Sequence, residues 1–198
     1  MSRIRVVLAS KSPRRIQLLG DIGIKDFEVI PAEREEEPDA DMSPAETVCH
    51  ISMSKARSVA SRCGEDTLVI AADTLVYLDG VPVGKPHSER EARAMLARQS
   101  GREHSVFTGV SLIFGDRSRS EAERTEVFFR EMTEEEIAWY VSTGEPMDKA
   151  GAYGAQGKGA MFIERIEGDF FNVMGFPICR FVKMLSGMGI KPDDLGID

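Results

Sequence analysis

Two stretches of this chain carry residues whose types and spacing could handle phosphate. Residues 8–15, LASKSPRR, set Ser10, Lys11, Ser12, Arg14 and Arg15 where an apolar strand hands over to a helix. A helix N-terminus presents unpaired N–H groups and a partial positive charge, so behind a strand it is a ready anion site. Arg14 and Arg15 add charged donors that fork onto phosphate oxygens. The plainer alternative is a capped surface helix with two solvated arginines. Cations are unfavourable at a helix N-terminus unless an anion offsets them, and that favours a ligand. The second stretch is LVIAADTLVY, where Asp73 interrupts an apolar run. A buried carboxylate is costly unless paired, hydrogen-bonded or metal-bound. Either Asp73 has a chemical role or nearby backbone donors satisfy it.

Other candidates are weaker. Lys85, in Gly84-Lys85-Pro86, and Lys55, in SMSKARS, say nothing alone. The run DKAGAYGAQGKGA nearly matches the phosphate-binding pattern GxxxxGK[ST], but position 152 is Ala and position 159 is Gly. It lacks the strand-then-helix setting of a dinucleotide fingerprint. A loop that lets backbone approach a ligand remains open. His50, His87 and His104 share no metal-ligand spacing, which argues against zinc, and no Ser-His-Asp triad can be assembled from the sequence. Glu33, Glu35, Glu36 and Glu37 could join Asp73 around a hard cation, or form a solvated acidic loop.

These residues need elements to hold them. Residues 4–9 read as a buried strand, and Ser12-Pro13 as an N-cap with proline at the first helical position. A short strand is expected at 27–31 and a solvated loop at 34–41. Ser43-Pro44-Ala45-Glu46 repeats the helix-start signal, with a helix to about Cys63. Residues 67–77 read as a buried strand, 88–99 as a capped helix, and 104–114 and 122–130 as strands joined near Gly115-Asp116. A helix from Thr133, a glycine-rich loop at 148–160, a strand at 161–166, a helix at 177–187 and a ten-residue tail follow. Helices alternating with strands, then a hairpin, predict an α/β fold with a mixed sheet. No linker or repeat divides residues 1–198, so a single domain is expected.

The formal net charge of −8 argues against a general nucleic-acid binder, yet allows a basic pocket for a small anion. Cys49, Cys63 and Cys179 form no CxxC pair and read as reduced. The N-terminal apolar run is too short for a signal peptide, and no stretch approaches a membrane span. A soluble, cytoplasmic protein with no membrane association is expected.

Taken in order, LASKSPRRIQLL, FEVIPAEREE, SKA, AADTLVYLDG, GKP, SGREHSVFTGVSL, GEPMDKAGAYGAQGKGA and NVMGFPI resemble the Maf family of nucleoside triphosphate pyrophosphatases across nearly the whole chain. That resemblance implies an elongated mixed sheet flanked by helices, with a central cleft, in the architecture of inosine triphosphatases. It implies hydrolysis of a nucleoside triphosphate to the monophosphate and pyrophosphate, with a divalent cation, Mg²⁺ or Mn²⁺. Asp73 falls at the family's proton-acceptor position. Ser10, Arg14, Arg15, Lys55 and Lys85 match phosphate-handling positions, and Glu36 the acidic one, with Glu35 the choice if the alignment slips by one. Asp73 and Glu36 are the implied metal ligands. The family's specificity positions fall on Arg14, Thr74 and Gln156, the set of the branch acting on dTTP and UTP; the 7-methyl-GTP branch carries Trp at the first and Glu at the third. Gln156 can both donate and accept, which suits a pyrimidine with a carbonyl and an N–H. Two alternatives follow from the same resemblance: a pyrophosphatase for another modified nucleotide, or a nucleotide-sensing regulator of septum formation, which would not need Asp73. A homodimer is common in such folds.

Overall fold

The computed structural model describes residues 3–33 and 41–197. The acidic run containing Glu35, Glu36 and Glu37, and with it the expected loop up to residue 40, lies outside the described residues. The chain forms two compact units. One comprises Met1–Asp73, Thr108–Glu123 and Gly175–Asp198, and the other Thr74–Phe107 and Arg124–Met174.

Seven strands form one mixed sheet: β1 (Arg5–Leu8), β2 (Phe27–Val29), β3 (Thr67–Leu78), β4 (Val81–Val83), β5 (Glu103–Phe114), β6 (Arg117–Phe129) and β7 (Ile163–Glu167). Their order is β2-β1-β3-β5-β6-β7, with β4 paired to β3. β1 lies parallel to both β2 and β3, while β3–β4 and β6–β7 are antiparallel. Val6, Val7 and Leu8 are buried, as a strand with neighbours on both sides and covered faces requires. The helices are α1 (Pro13–Asp21), α2 (Pro44–Ala60), α3 (Glu89–Gln99), α4 (Glu134–Ser142), α5 (Phe170–Met174) and α6 (Ile178–Gly187).

In the first unit α2 presents Ala56 and Val59 to Val7, Ala9, Val69 and Ala71, a cluster of small apolar side chains that brings helix and sheet close together. Gly109 on β5 shows how close: a Cβ there would stand 2.3 Å from the Val48 carbonyl oxygen of α2. A buried hydroxyl relay, Ser52 to Ser111 at 2.7 Å and Ser111 to Ser120 at 2.8 Å, ties α2 to β5 and β6. The second unit has its own core, in which Val76, Leu96, Val127, Phe129, Tyr140 and Phe162 are buried.

Most expected elements form, with shifted ends. The strand expected at 161–166 starts at Ile163, because 158–162 winds into a 3₁₀ turn first. β6 begins at Arg117, five residues before the expected 122, since a run of charged residues still pairs along the hairpin. The final residues are no loose tail. Pro192–Leu195 forms a 3₁₀ turn, Leu195 is 1% exposed, and the Ile4 N–H donates to the Asp194 carbonyl. Burial of Ile190 and Leu195, with the bond from Ile4, fixes this short polar segment within the first unit.

Candidate active site

β1 delivers the chain to Ser10, and α1 begins at Pro13. Ser12 sits at the N-cap position, but its hydroxyl makes no capping bond, and no acidic residue occupies the first turn. Helices α2, α3 and α4, by contrast, are each capped by a side chain, from Ser43, Ser88 and Thr133. The start of α1 therefore keeps its N–H groups without a side-chain cap, beside two arginines. Ser10 is itself buried, and its Oγ accepts from the Ser12 N–H and from Arg15 Nη1, both at 3.2 Å. Arg15 Nε donates to the Gly175 carbonyl at 2.9 Å. Arg15 thus braces the turn against the segment entering α6. Arg14 makes no ion pair among the described residues and stays half-buried.

On α2, one turn beyond Ser52, Lys55 reaches Asp73 on β3, with Nζ 2.7 Å from Oδ1. Their side chains are 13% and 15% exposed, so the pair is largely removed from water. This accounts for the carboxylate in the apolar strand: an ammonium, and no backbone donor that the structure records, is its partner. A partner on another element offsets the cost of burial.

The remaining candidates belong to the second unit. Thr74 follows Asp73 on β3, Lys85 is exposed just beyond β4, and Gln156 is half-buried in the glycine-rich loop. That loop does not cradle a phosphate with its backbone at 158–159. The N–H groups of Lys158 and Gly159 donate to the Glu145 carboxylate at 3.1 and 3.0 Å. An internal carboxylate holds the anion position that the near match to a phosphate loop suggested. Burial would raise the Glu145 pKa, but the N–H groups of Gly159 and Lys158 outweigh it and hold the carboxyl below its ordinary range. Neither Glu145 nor its partner Tyr140 stands out in the sequence; the only hint is the four glycines, Gly151, Gly154, Gly157 and Gly159, clustered after GEP. Elsewhere in this unit, His104 Nε2 lies 2.8 Å from Tyr153 Oη in the core.

One carboxylate, one ammonium, a serine-braced arginine and a helix start without a side-chain cap thus belong to one unit, and groups of these types can hold phosphate oxygens. Residues 5–188 match the family model described as Maf-like protein, and the chain belongs to the Maf family. A protein of Caldicellulosiruptor bescii named dTTP/UTP pyrophosphatase is 48% identical over 190 residues, 93% of this chain and 95% of that protein. One of Symbiobacterium thermophilum with the same name is 48% identical over 185 residues, 93% of this chain and 94% of the other. Among solved structures, a nucleoside-triphosphatase, dITP/XTP pyrophosphatase, from Mycobacterium abscessus is matched at 14% identity over 93% of this chain and 94% of that one, with a TM-score of 0.46.

Proposed function

We propose that this protein is a nucleoside triphosphate pyrophosphatase acting on dTTP and UTP, releasing the monophosphate and pyrophosphate. The observation that carries this reading is the 48% identity, over nearly the full length, to relatives named for that activity. The local geometry supports it. Hydrolysis between the α- and β-phosphates adds water across a P–O bond: the hydroxyl goes to phosphorus, the proton leaves, and the pyrophosphate oxygen departs. Asp73 accepts the water proton as general base. Lys55 holds Asp73 in place beforehand and faces growing negative charge during the reaction. Arg14 and the N–H groups of α1 bind phosphate oxygens, while Ser10 and Arg15 fix the turn that presents them. Within the second unit, Thr74 and Gln156 read the base and Lys85 is a phosphate-handling residue.

A divalent cation, Mg²⁺ or Mn²⁺, fits the donors present. The described residues contain no cluster of three or more His, Cys, Asp or Glu side chains. A cation that arrives with a triphosphate needs only one or two carboxylates, and Asp73 supplies a hard oxygen for it. Glu36 is the second donor in this reading. When bound, the cation neutralises charge on the phosphate oxygens. No described helix is long and apolar enough to cross a membrane. A cytoplasmic setting is part of the same proposal, supported by the three free cysteines.

The test is pyrophosphate release from dTTP, UTP, CTP, GTP, ATP and 7-methyl-GTP, with Mg²⁺ or Mn²⁺ and with chelator. dTTP and UTP should give the highest kcat/KM and chelation should stop turnover. A lead by CTP or 7-methyl-GTP overturns the specificity, and no release from any of them overturns the activity.

A further inference from the structure

The loop bearing Gln156 is held by a knot of polar groups to which the proposed reaction assigns no task. Tyr140, on α4 and 0% exposed, donates its hydroxyl to Glu145 Oε1 at 3.0 Å. The same hydroxyl oxygen accepts the Gly154 N–H at 3.2 Å. Glu145 Oε1 and Oε2 then take the N–H groups of Gly159 and Lys158. Backbone on both sides of Gln156, at 154 and at 158–159, is therefore tied to one Tyr–Glu pair. The glycines follow from this closeness. A Cβ on Gly159 would stand 2.7 Å from Tyr140 Oη, and one on Gly157, whose φ is +91°, 3.0 Å from Glu145 Oε2. Lys149 Nζ, donating to the Glu145 carbonyl at 2.6 Å, anchors the residue from behind.

A carboxylate accepting several N–H groups in a partly buried place fixes backbone far more tightly than glycine-rich sequence would alone. We infer that Tyr140 and Glu145 are positioning residues that staple residues 154–159 and thereby set Gln156 for discrimination between pyrimidine bases. The inference rests on the reading that Gln156 contacts the base. Discrimination by hydrogen-bond pattern needs donor and acceptor held within tenths of an ångström, since a misplaced amide pairs with either pattern.

The experiment uses Tyr140→Phe and Glu145→Gln in the full chain. Phenylalanine keeps the ring in the core, and glutamine keeps the shape but loses an acceptor. Amide hydrogen exchange over 153–160 should quicken about tenfold or more in both while the rest of the chain is unchanged. The ratio of kcat/KM for dTTP over CTP should fall about tenfold. In a Gln156→Ala background, Tyr140→Phe should lower that ratio no further. Unchanged exchange over 153–160 in both variants overturns the staple. A uniform loss of kcat with the ratio kept, while Gln156→Ala alone lowers it, overturns the link to base choice. If Gln156→Ala leaves the ratio unchanged, the base-reading role of Gln156 is what fails. The staple is then judged on exchange alone, and faster exchange at 153–160 upholds it.

Discussion

Replacing Asp73 with Asn separates chemistry from folding. In the native protein Asp73 Oδ1 accepts from Lys55 Nζ at 2.7 Å, with both side chains mostly out of water. A hydrogen bond to a charged group in such a place contributes about 1.5–3 kcal/mol. Asparagine keeps an acceptor oxygen in nearly the same position, so the bond survives without its charge, and roughly half of that contribution is lost. For a chain of this size each kcal/mol moves Tm by about 2–4 °C, giving an expected drop of about 2–6 °C. Loss of a general base costs ~10²–10⁴ in rate, or about 3–5 kcal/mol of barrier. The catalytic loss should therefore far exceed the loss of stability. Single-substrate kinetics with dTTP, run well below Tm, should show kcat down at least ~100-fold with native far-UV circular dichroism. A folded variant retaining more than about a tenth of kcat refutes the proton-acceptor role, because no general base in this position would be so dispensable. A Tm drop many times larger than that expected, with proportionate loss of kcat, would instead make the Lys55–Asp73 pair a structural device.

Other expectations follow from the same geometry. Lys85 is exposed, so Lys85→Ala should change stability by less than ~0.5 kcal/mol while raising KM for dTTP, as read by thermal melts and steady-state kinetics. Gln156→Glu, which removes the amide donor, should weaken dTTP hydrolysis selectively; a variant that keeps the full dTTP preference over CTP would end the base-reading role. Gly159→Ala would place a Cβ 2.5 Å from the Gly154 carbonyl oxygen and should cost about 1–3 kcal/mol in urea unfolding. Burial pushes the His104 imidazole from 6.5 down to about 4. The unfolded chain therefore binds a proton at this site in that window while the folded chain does not. Stability from this group is full above pH 6.5 and falls as pH drops toward about 4. His104→Gln should flatten the fall by up to about 3 kcal/mol, measured as the difference in unfolding free energy between about pH 7 and pH 4.

The sequence by itself carried whatever depends on neighbours along the chain. Ser12-Pro13 marks the start of α1, and Ser43-Pro44 with Glu46 marks α2, because capping and the φ of proline act within a turn. Alternating helices and strands gave the α/β class for the same reason, and Asp73 was legible as an oddity because a lone carboxylate in an apolar strand needs a partner. The partner was not legible. Lys55 stands 18 residues earlier on a helix, and only packing of α2 on the sheet, through Gly109 and the Ser52–Ser111–Ser120 relay, decides that its ammonium meets Asp73. Nor could local pattern show that Arg15 braces Gly175, a carbonyl 160 residues away. The glycine run gives the clearest division. Its composition announces close backbone approach, but whether a phosphate or an internal carboxylate is approached depends on where α4 and Glu145 lie. Hydrogen bonds between distant segments form only after the core has set those distances, so tertiary packing alone put the Glu145 carboxylate against the N–H groups of 158 and 159.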